Sequence, residues 1–347
     1  MKIGVLTFHW ANNYGAVLQA YALTTYLRQS GHEAELIDYV PRRTVRVTRL
    51  FNIYKMRFNE LRKTQIFKRF QRQLPLSAKT YHTHKELYRA GAHYDAVIAG
   101  SDQIWNKSFL MRAEKRPTPS YYLDFVPPNV RRLSYAASFG TNELTEGMRR
   151  YGVAELRHFD AVSVRESNAV EMLAQEGIAA VLVCDPTLLW SAKEYEPIME
   201  KEEACDRVNV FNFMLRTERK SSVRTQEYVL NHCFEGASHL GAKPITVGKW
   251  LRQIQNCDFV VTDSFHCTVF AILFHKPFLA INDRNCSMNS RISTLTRRLG
   301  LQHRVIDEYN PERIREIVQA QDIDWAYVDE QRKLWAEDSA AFLRENL

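Results

Sequence analysis

Residues 259–270 read FVVTDSFHCTVF. An apolar, β-branched run stops at Asp263 and apolar helix spacing begins just after His266, so the stretch is a strand-to-helix junction with a histidine in its crook. The first turn of a helix carries unpaired N–H groups and the positive end of the helix dipole, which together hold an anion without a charged side chain. Ser264 and Thr268 add hydroxyl donors, and His266 adds a group that exchanges a proton near neutral pH. One segment thus offers anion binding and acid–base chemistry, although a buried histidine with Ser264 as a plain helix cap uses the same residues.

Outward from this junction, strand and helix signals alternate. Strands are expected at 2–8, 34–39, 96–100, 133–138, 161–164 and 181–184, with helices at 16–30 and 167–176. After the charged stretch 191–207, strands at 208–213, 244–247, 259–262 and 278–281 alternate with helices at 223–234, 249–255, 268–274, 291–299 and 311–319. This is the α/β pattern of a mostly parallel, doubly wound sheet, which binds ligands at the carboxyl ends of its strands. A chain of 347 residues, 45% hydrophobic, exceeds what one core organises. Domains are expected at 1–190 and 208–326, with a helix at 327–347 packing back on the first.

The start MKIGVLTF reads as a first strand rather than a secretory leader, and the most apolar window, 269–281, is broken by His275, Lys276 and Pro277. The expectation is a cytoplasmic protein. None of the six cysteines forms a C-x-x-C pair, so no metal site is expected. Cys267 beside His266 reads as a packing thiol before it reads as a nucleophile. The net charge of +7 is concentrated in residues 42–79, where twelve Lys and Arg face the single Glu60. Leu50, Phe51, Tyr54, Phe58, Leu61, Phe67, Phe70 and Leu74 recur there mostly at helical spacing. A solvated basic helix explains this; contact with the inner membrane surface or an anionic substrate explains it slightly better, and no nucleic-acid motif accompanies it.

Polar clusters follow the expected strands. Asn12, Asn13, Tyr14 and Gly15 open the first helix without forming a G-x-G-x-x-G loop. Ser101, Asp102, Gln103, Trp105 and Asn106 end the strand at 96–100, and their carboxylate, amides and indole suit a sugar, whose hydroxyls want paired donors and acceptors and whose ring stacks on an aromatic. Asp102 is also a candidate base. Arg165 leaves a strand as an anion clamp would, and Arg284 and Arg291 follow the strand after the SFH helix. Each of these has a plain alternative as a cap, an ion pair or a surface arginine.

The order of motifs resembles the polysaccharide pyruvyl transferase family: GVLTFHWANNYGAVLQAYAL, DAVIAGSDQIWN, LSYAASFG, AVSVRESNAVEMLAQEGI, VCDPTLLW, and WLRQIQNCDFVVTDSFHCTVFAILFHKPFLAI followed by NSR. The resemblance implies a GT-B-like fold of two Rossmann-like domains facing a cleft. It implies transfer of a pyruvyl group from phosphoenolpyruvate to two hydroxyls of a sugar, with no cofactor beyond that donor. The acceptors would be surface-polysaccharide or cell-wall precursors, often lipid-linked, which gives residues 42–79 a purpose at the membrane. His266 matches the histidine of the family's S-x-R-x-H or SFHG-like segment. Ser264 stands where many members carry arginine, and Cys267 where one branch carries glycine. The clamp on the donor then falls to Arg165, Arg284 or Arg291 with Ser264 and Thr268, and acid and base to His266 and Asp102. A nucleotide-sugar glycosyltransferase on the same architecture and a silent glycan-binding member are the alternatives.

Overall fold

The computed structural model describes residues 1–41, 58–113, 120–201, 209–215, 220–234, 244–282, 290–320 and 322–347. It divides into one unit of Met1–Leu189 with Trp335–Leu347 and another of Trp190–Leu334.

In the first unit, β1 (Lys2–Leu6), β2 (Glu33–Leu36), β3 (Ala96–Ala99) and β4 (Arg131–Ser134) form a parallel sheet in the order β2-β1-β3-β4. The short pair β5 (Ser163–Val164) and β6 (Val181–Leu182) continues beside β4 through the bridges Leu133↔Ala161 and Ala137↔Val164. Ile3, Val5, Leu6, Val97 and Ile98 are fully buried, as strands covered on both faces require. The strand expected at 133–138 stops at Ser134 because Ala136 takes a φ of 51° and turns the chain. Helices α1 (Tyr14–Gln29), α2 (Phe58–Gln71), α3 (His84–Gly91), α4 (Lys107–Ala113) and α5 (Ser167–Gln175) accompany the sheet.

Residues 42–57 of the basic block lie outside the described residues. In the remainder, Phe67 and Phe70 meet Tyr14 and Tyr21 of α1 edge-on, with centroids 5.0 and 6.3 Å apart, and Leu74 is buried. The apolar side of α2 is therefore core.

In the second unit, β7 (Val210–Phe213), β8 (Phe259–Thr262), β9 (Phe278–Ile281) and β10 (Val305–Ile306) form a parallel sheet in the order β10-β9-β8-β7. Its helices are α6 (Lys220–Tyr228), α7 (Val247–Asn256), α8 (Phe265–Leu273), α9 (Ser290–Arg298), α10 (Pro311–Gln319) and the start of α11 (Trp325–Asn346). The strand expected at 244–247 is corrected: Thr246 caps α7 by accepting from Lys249 N, so the β-branched Ile245-Thr246-Val247 is a helix entry. Among the described residues, no helix is long and apolar enough to cross a membrane.

One polar network fixes the carboxyl edge of the first unit. Arg165, 1% exposed, donates from Nη1 to Asp185 Oδ2 at 2.6 Å, and Asp185 itself is fully buried. Ser101 Oγ donates to the same oxygen at 2.8 Å, Thr7 Oγ1 to Ser101 O at 2.7 Å, and Gln19 Nε2 to Thr7 Oγ1 at 2.9 Å. The chain of contacts runs from α1 through the ends of β1, β3, β5 and β6. Farther along this edge, His9 Nε2 lies 3.0 Å from Asp38 Oδ1. Burial opposes ionisation of Asp38, but hydrogen bonds from His9 and Thr80 and the nearby charges of His9 and His82 outweigh it and hold the carboxyl below its ordinary value.

Removing one member of a buried ion pair strands the other. Asp185→Ala should lower stability by about 3–5 kcal/mol, while Arg165→Met combined with Asp185→Leu recovers most of it; urea unfolding of the three chains decides, and equal losses would show that the pair is not the source. Asp38, ionised more readily in the folded chain than in the unfolded one, stabilises above pH about 4 and loses this contribution as pH falls through its lowered value. Asp38→Asn should flatten the acid limb of a stability–pH curve measured by thermal unfolding; an unchanged limb would remove Asp38 from that role.

Candidate functional site

In the second unit the candidate site grows from the end of β8. Ser264 is the N-cap of α8, its side chain accepting from Cys267 N at 3.4 Å, and its own N–H donates to Thr262 Oγ1 at 3.0 Å. Asp263 Oδ1 accepts from Leu215 N at 2.6 Å and ties the chain beyond β7 to this junction. The junction thus starts a helix at Phe265, three residues before the expected position, and sets His266 in its first turn with 7% exposure. The His266 ring meets the Phe265 ring edge-on at 5.1 Å, and Arg291, at the start of α9 and also 7% exposed, places its guanidinium 5.7 Å from the centroid of the Phe265 ring. A helix N-terminus, an imidazole and a guanidinium therefore converge on one aromatic. The register Thr262↔Ala280 brings Asn282 to the same edge, where its Nδ2 donates to Ser293 Oγ at 2.9 Å and steadies the first turns of α9.

One expectation for this junction is corrected. Thr268 is fully buried and its hydroxyl donates to Ser264 O at 3.0 Å, so it closes a helical turn instead of facing a ligand. Cys267 is fully buried, in keeping with the packing role expected of it, and burial pushes its thiol well above the ordinary range, away from a thiolate nucleophile. Arg284 lies outside the described residues.

In the first unit, β1 has β2 on one side and β3 on the other, so the loops after β1 and β3 flank the point where the strand order reverses, the usual ligand position of an open α/β sheet. Asn12 and Asn13 are exposed there; Asn13 caps α1 by accepting from Ala16 N at 3.2 Å. Asp102 has a φ of 88°, rare for a residue with a side chain, and its carboxylate is 17% exposed, accepting from Gln103 N at 2.8 Å with Arg165 Nη2 at 3.9 Å.

Most other residues expected to meet an acceptor are interior. Trp105 is fully buried, stacked on Tyr122 with centroids 5.4 Å and planes 6° apart, and its Nε1 donates to Tyr121 O; the ring expected to carry a sugar is core. Tyr14 packs on Phe67, and Gly15 is buried in the first turn of α1. Asn106 Nδ2 donates to Gln103 Oε1 at 3.1 Å, and both line a turn at Gly140, whose φ of 59° and lack of room for a Cβ, 2.2 Å from Gln103 Oε1, demand glycine. Ser101 and Arg165 belong to the buried network, so Arg165 serves Asp185 rather than a donor. Trp10, part-exposed after β1 with Nε1 donating to Tyr121 OH at 3.1 Å, and the His9–Asp38 pair also stand at this edge, though neither Trp10 nor His9 was assigned a role from the sequence. His9 and Asp38 each stand just beyond an apolar run, a signal that was present.

Among the described residues, no group of three or more His, Cys, Asp or Glu could hold a metal ion.

Solved structures with the same fold include the UDP-GlcNAc 2-epimerase of Methanocaldococcus jannaschii in complex with UDP-GlcNAc and UDP, 12% identical, TM-score 0.56, covering 99% of this chain and 100% of that one. MnaA of S. aureus with UDP is 12% identical, TM-score 0.54, with 99% and 96% covered, and the spinosyn forosaminyltransferase SpnP is 10% identical, TM-score 0.52, with 99% and 98% covered. At these identities the likeness establishes the fold, α/β of the GT-B kind with parallel sheets. No curated protein matches the chain. The family model "Polysaccharide pyruvyl transferase" matches residues 13–285, which takes in the ends of β3 and β8, and the chain belongs to that family.

Proposed function

We propose that this protein transfers a pyruvyl group from phosphoenolpyruvate to two hydroxyls of one sugar in a surface-polysaccharide or cell-wall precursor, free or lipid-linked. The observation that carries the reading is the convergence of the α8 N-terminus, His266 and Arg291 on Phe265. A donor with a phosphate and a carboxylate needs fixed positive potential, which the N–H groups after Ser264 and the Arg291 guanidinium supply. His266 protonates the methylene carbon, and the adjacent carbon becomes electrophilic. A sugar hydroxyl attacks it and gives its proton to a general base. Inorganic phosphate then leaves, its charge offset by the same cation and helix end. The second hydroxyl adds to the same carbon and loses its proton, closing the ketal; carbon, phosphate and protons balance without redox change or cofactor.

Calorimetry with phosphoenolpyruvate and with UDP-GlcNAc tests the donor. Phosphoenolpyruvate should bind, with affinity about tenfold or more weaker in Arg291→Ala; binding of UDP-GlcNAc alone would replace pyruvyl transfer with glycosyl transfer. His266→Gln should keep donor binding while phosphate release in the presence of acceptor falls by about 10²–10⁴-fold. A variant that turns over normally would take the acid role from His266.

A further inference from the structure

The exposed side of α2 is a basic surface that the chemistry of the site leaves unused. Arg62, Lys68, Arg69 and Arg72 are exposed, with Gln65 between them, and none forms an ion pair among the described residues. Positions 62, 65, 69 and 72 recur at helical spacing and so share one side, opposite Phe67, Phe70 and Leu74, which are buried. Among residues 60–72, no aromatic side chain is exposed on this side to stack on a base, as single-stranded nucleic acid would need. The helix is fastened to the loop after β1: Asn12 Nδ2 donates to Thr64 Oγ1 at 3.1 Å, and Gln71 Nε2 to Ala11 O at 3.4 Å.

We infer that the Arg62–Arg72 side of α2 docks the protein on an anionic lipid surface by charge alone, without inserting apolar side chains. An inserted amphipathic helix needs a free apolar face, and here that face is packed on α1. What remains is a row of long cations with room to adapt to a plane of phosphates, whose attraction is electrostatic and falls with salt. Because α2 is tied to Ala11 and Asn12, docking holds the loop after β1 at the lipid surface. A substrate carried on a lipid anchor would meet the protein there.

Sedimentation of the full chain with vesicles tests this, using phosphatidylcholine alone and phosphatidylcholine mixed with phosphatidylglycerol. The expected result is binding to the mixed vesicles only, released by salt. Each charge removed in the series Arg62→Gln, Lys68→Gln, Arg69→Gln and Arg72→Gln should weaken it about fivefold. Leu61→Ala, which removes an exposed apolar side chain of α2, should bind as the parent does. Thermal unfolding verifies that the variants fold. Equal binding to both vesicle types, binding that survives loss of all four charges, or a preference for an RNA oligonucleotide over the mixed vesicles would each overturn the inference.

Discussion

A guanidinium that is 1% exposed has to be neutralised where it stands, and much of the first unit is arranged around that requirement. Arg165 leaves β5 and meets Asp185 just beyond β6. Ser101, just beyond β3, shares the same carboxylate oxygen, while Thr187 N and Oγ1 occupy the other at 3.0 and 2.7 Å. Three strand ends are thus tied by charge-assisted hydrogen bonds, and Thr7 and Gln19 extend the tie to β1 and α1. Such a network leaves little freedom at the carboxyl edge. Asp102, adjacent in sequence to Ser101, takes a left-handed backbone conformation and is the member of this cluster that stays partly exposed. Such strain persists only where the surroundings over-determine it, as this network does.

The same physics explains which features could be read from sequence. Parallel strands buried on both faces are continuous apolar runs, so VIA at 97–99 and FVV at 259–261 announced themselves, and with them the places where a ligand edge must lie. The roles of residues at that edge were much less legible. A polar side chain after a strand satisfies a helix N-terminus or a ligand with the same chemistry; Asn13 and Ser264 cap the helices they begin, and Thr268 closes the first turn of α8. Trp105 carried a strong aromatic signal, yet its partners Tyr121, Tyr122 and Phe139 come from distant segments that no local pattern links to it. Arg165 read as a clamp because Asp185, twenty positions away, was not visible as its partner.

In the second unit two of the residues singled out from the sequence share one surrounding. His266 and Arg291 come from helices after consecutive strands, and Phe265 joins them in space. On the pyruvyl-transfer reading this bears on Ser264, which stands where many family members carry arginine. A cation lost two residues before the histidine can be supplied through space from the start of α9, beside the residue that separates Ser264 from His266. The exchange also frees position 264 to cap α8, and a well-capped helix holds its first-turn N–H groups at fixed positions. Donor recognition would then shift from one arginine in the motif to a backbone cradle with a guanidinium at its rim.

In the described part of the basic block, the two halves of an amphipathic helix have different fates. Helical spacing of Phe67, Phe70 and Leu74 predicts an apolar face, and the face exists, but it meets Tyr14 and Tyr21 instead of lipid. Those rings are already out of water, so moving them into a bilayer would exchange core packing for lipid and remove no further apolar area from solvent. Cations on the opposite side carry no such penalty, because they are already hydrated and hold no ion pair among the described residues that docking would break. The hydrophobic half of the helix belongs to the fold, and only the charged half is free for a partner.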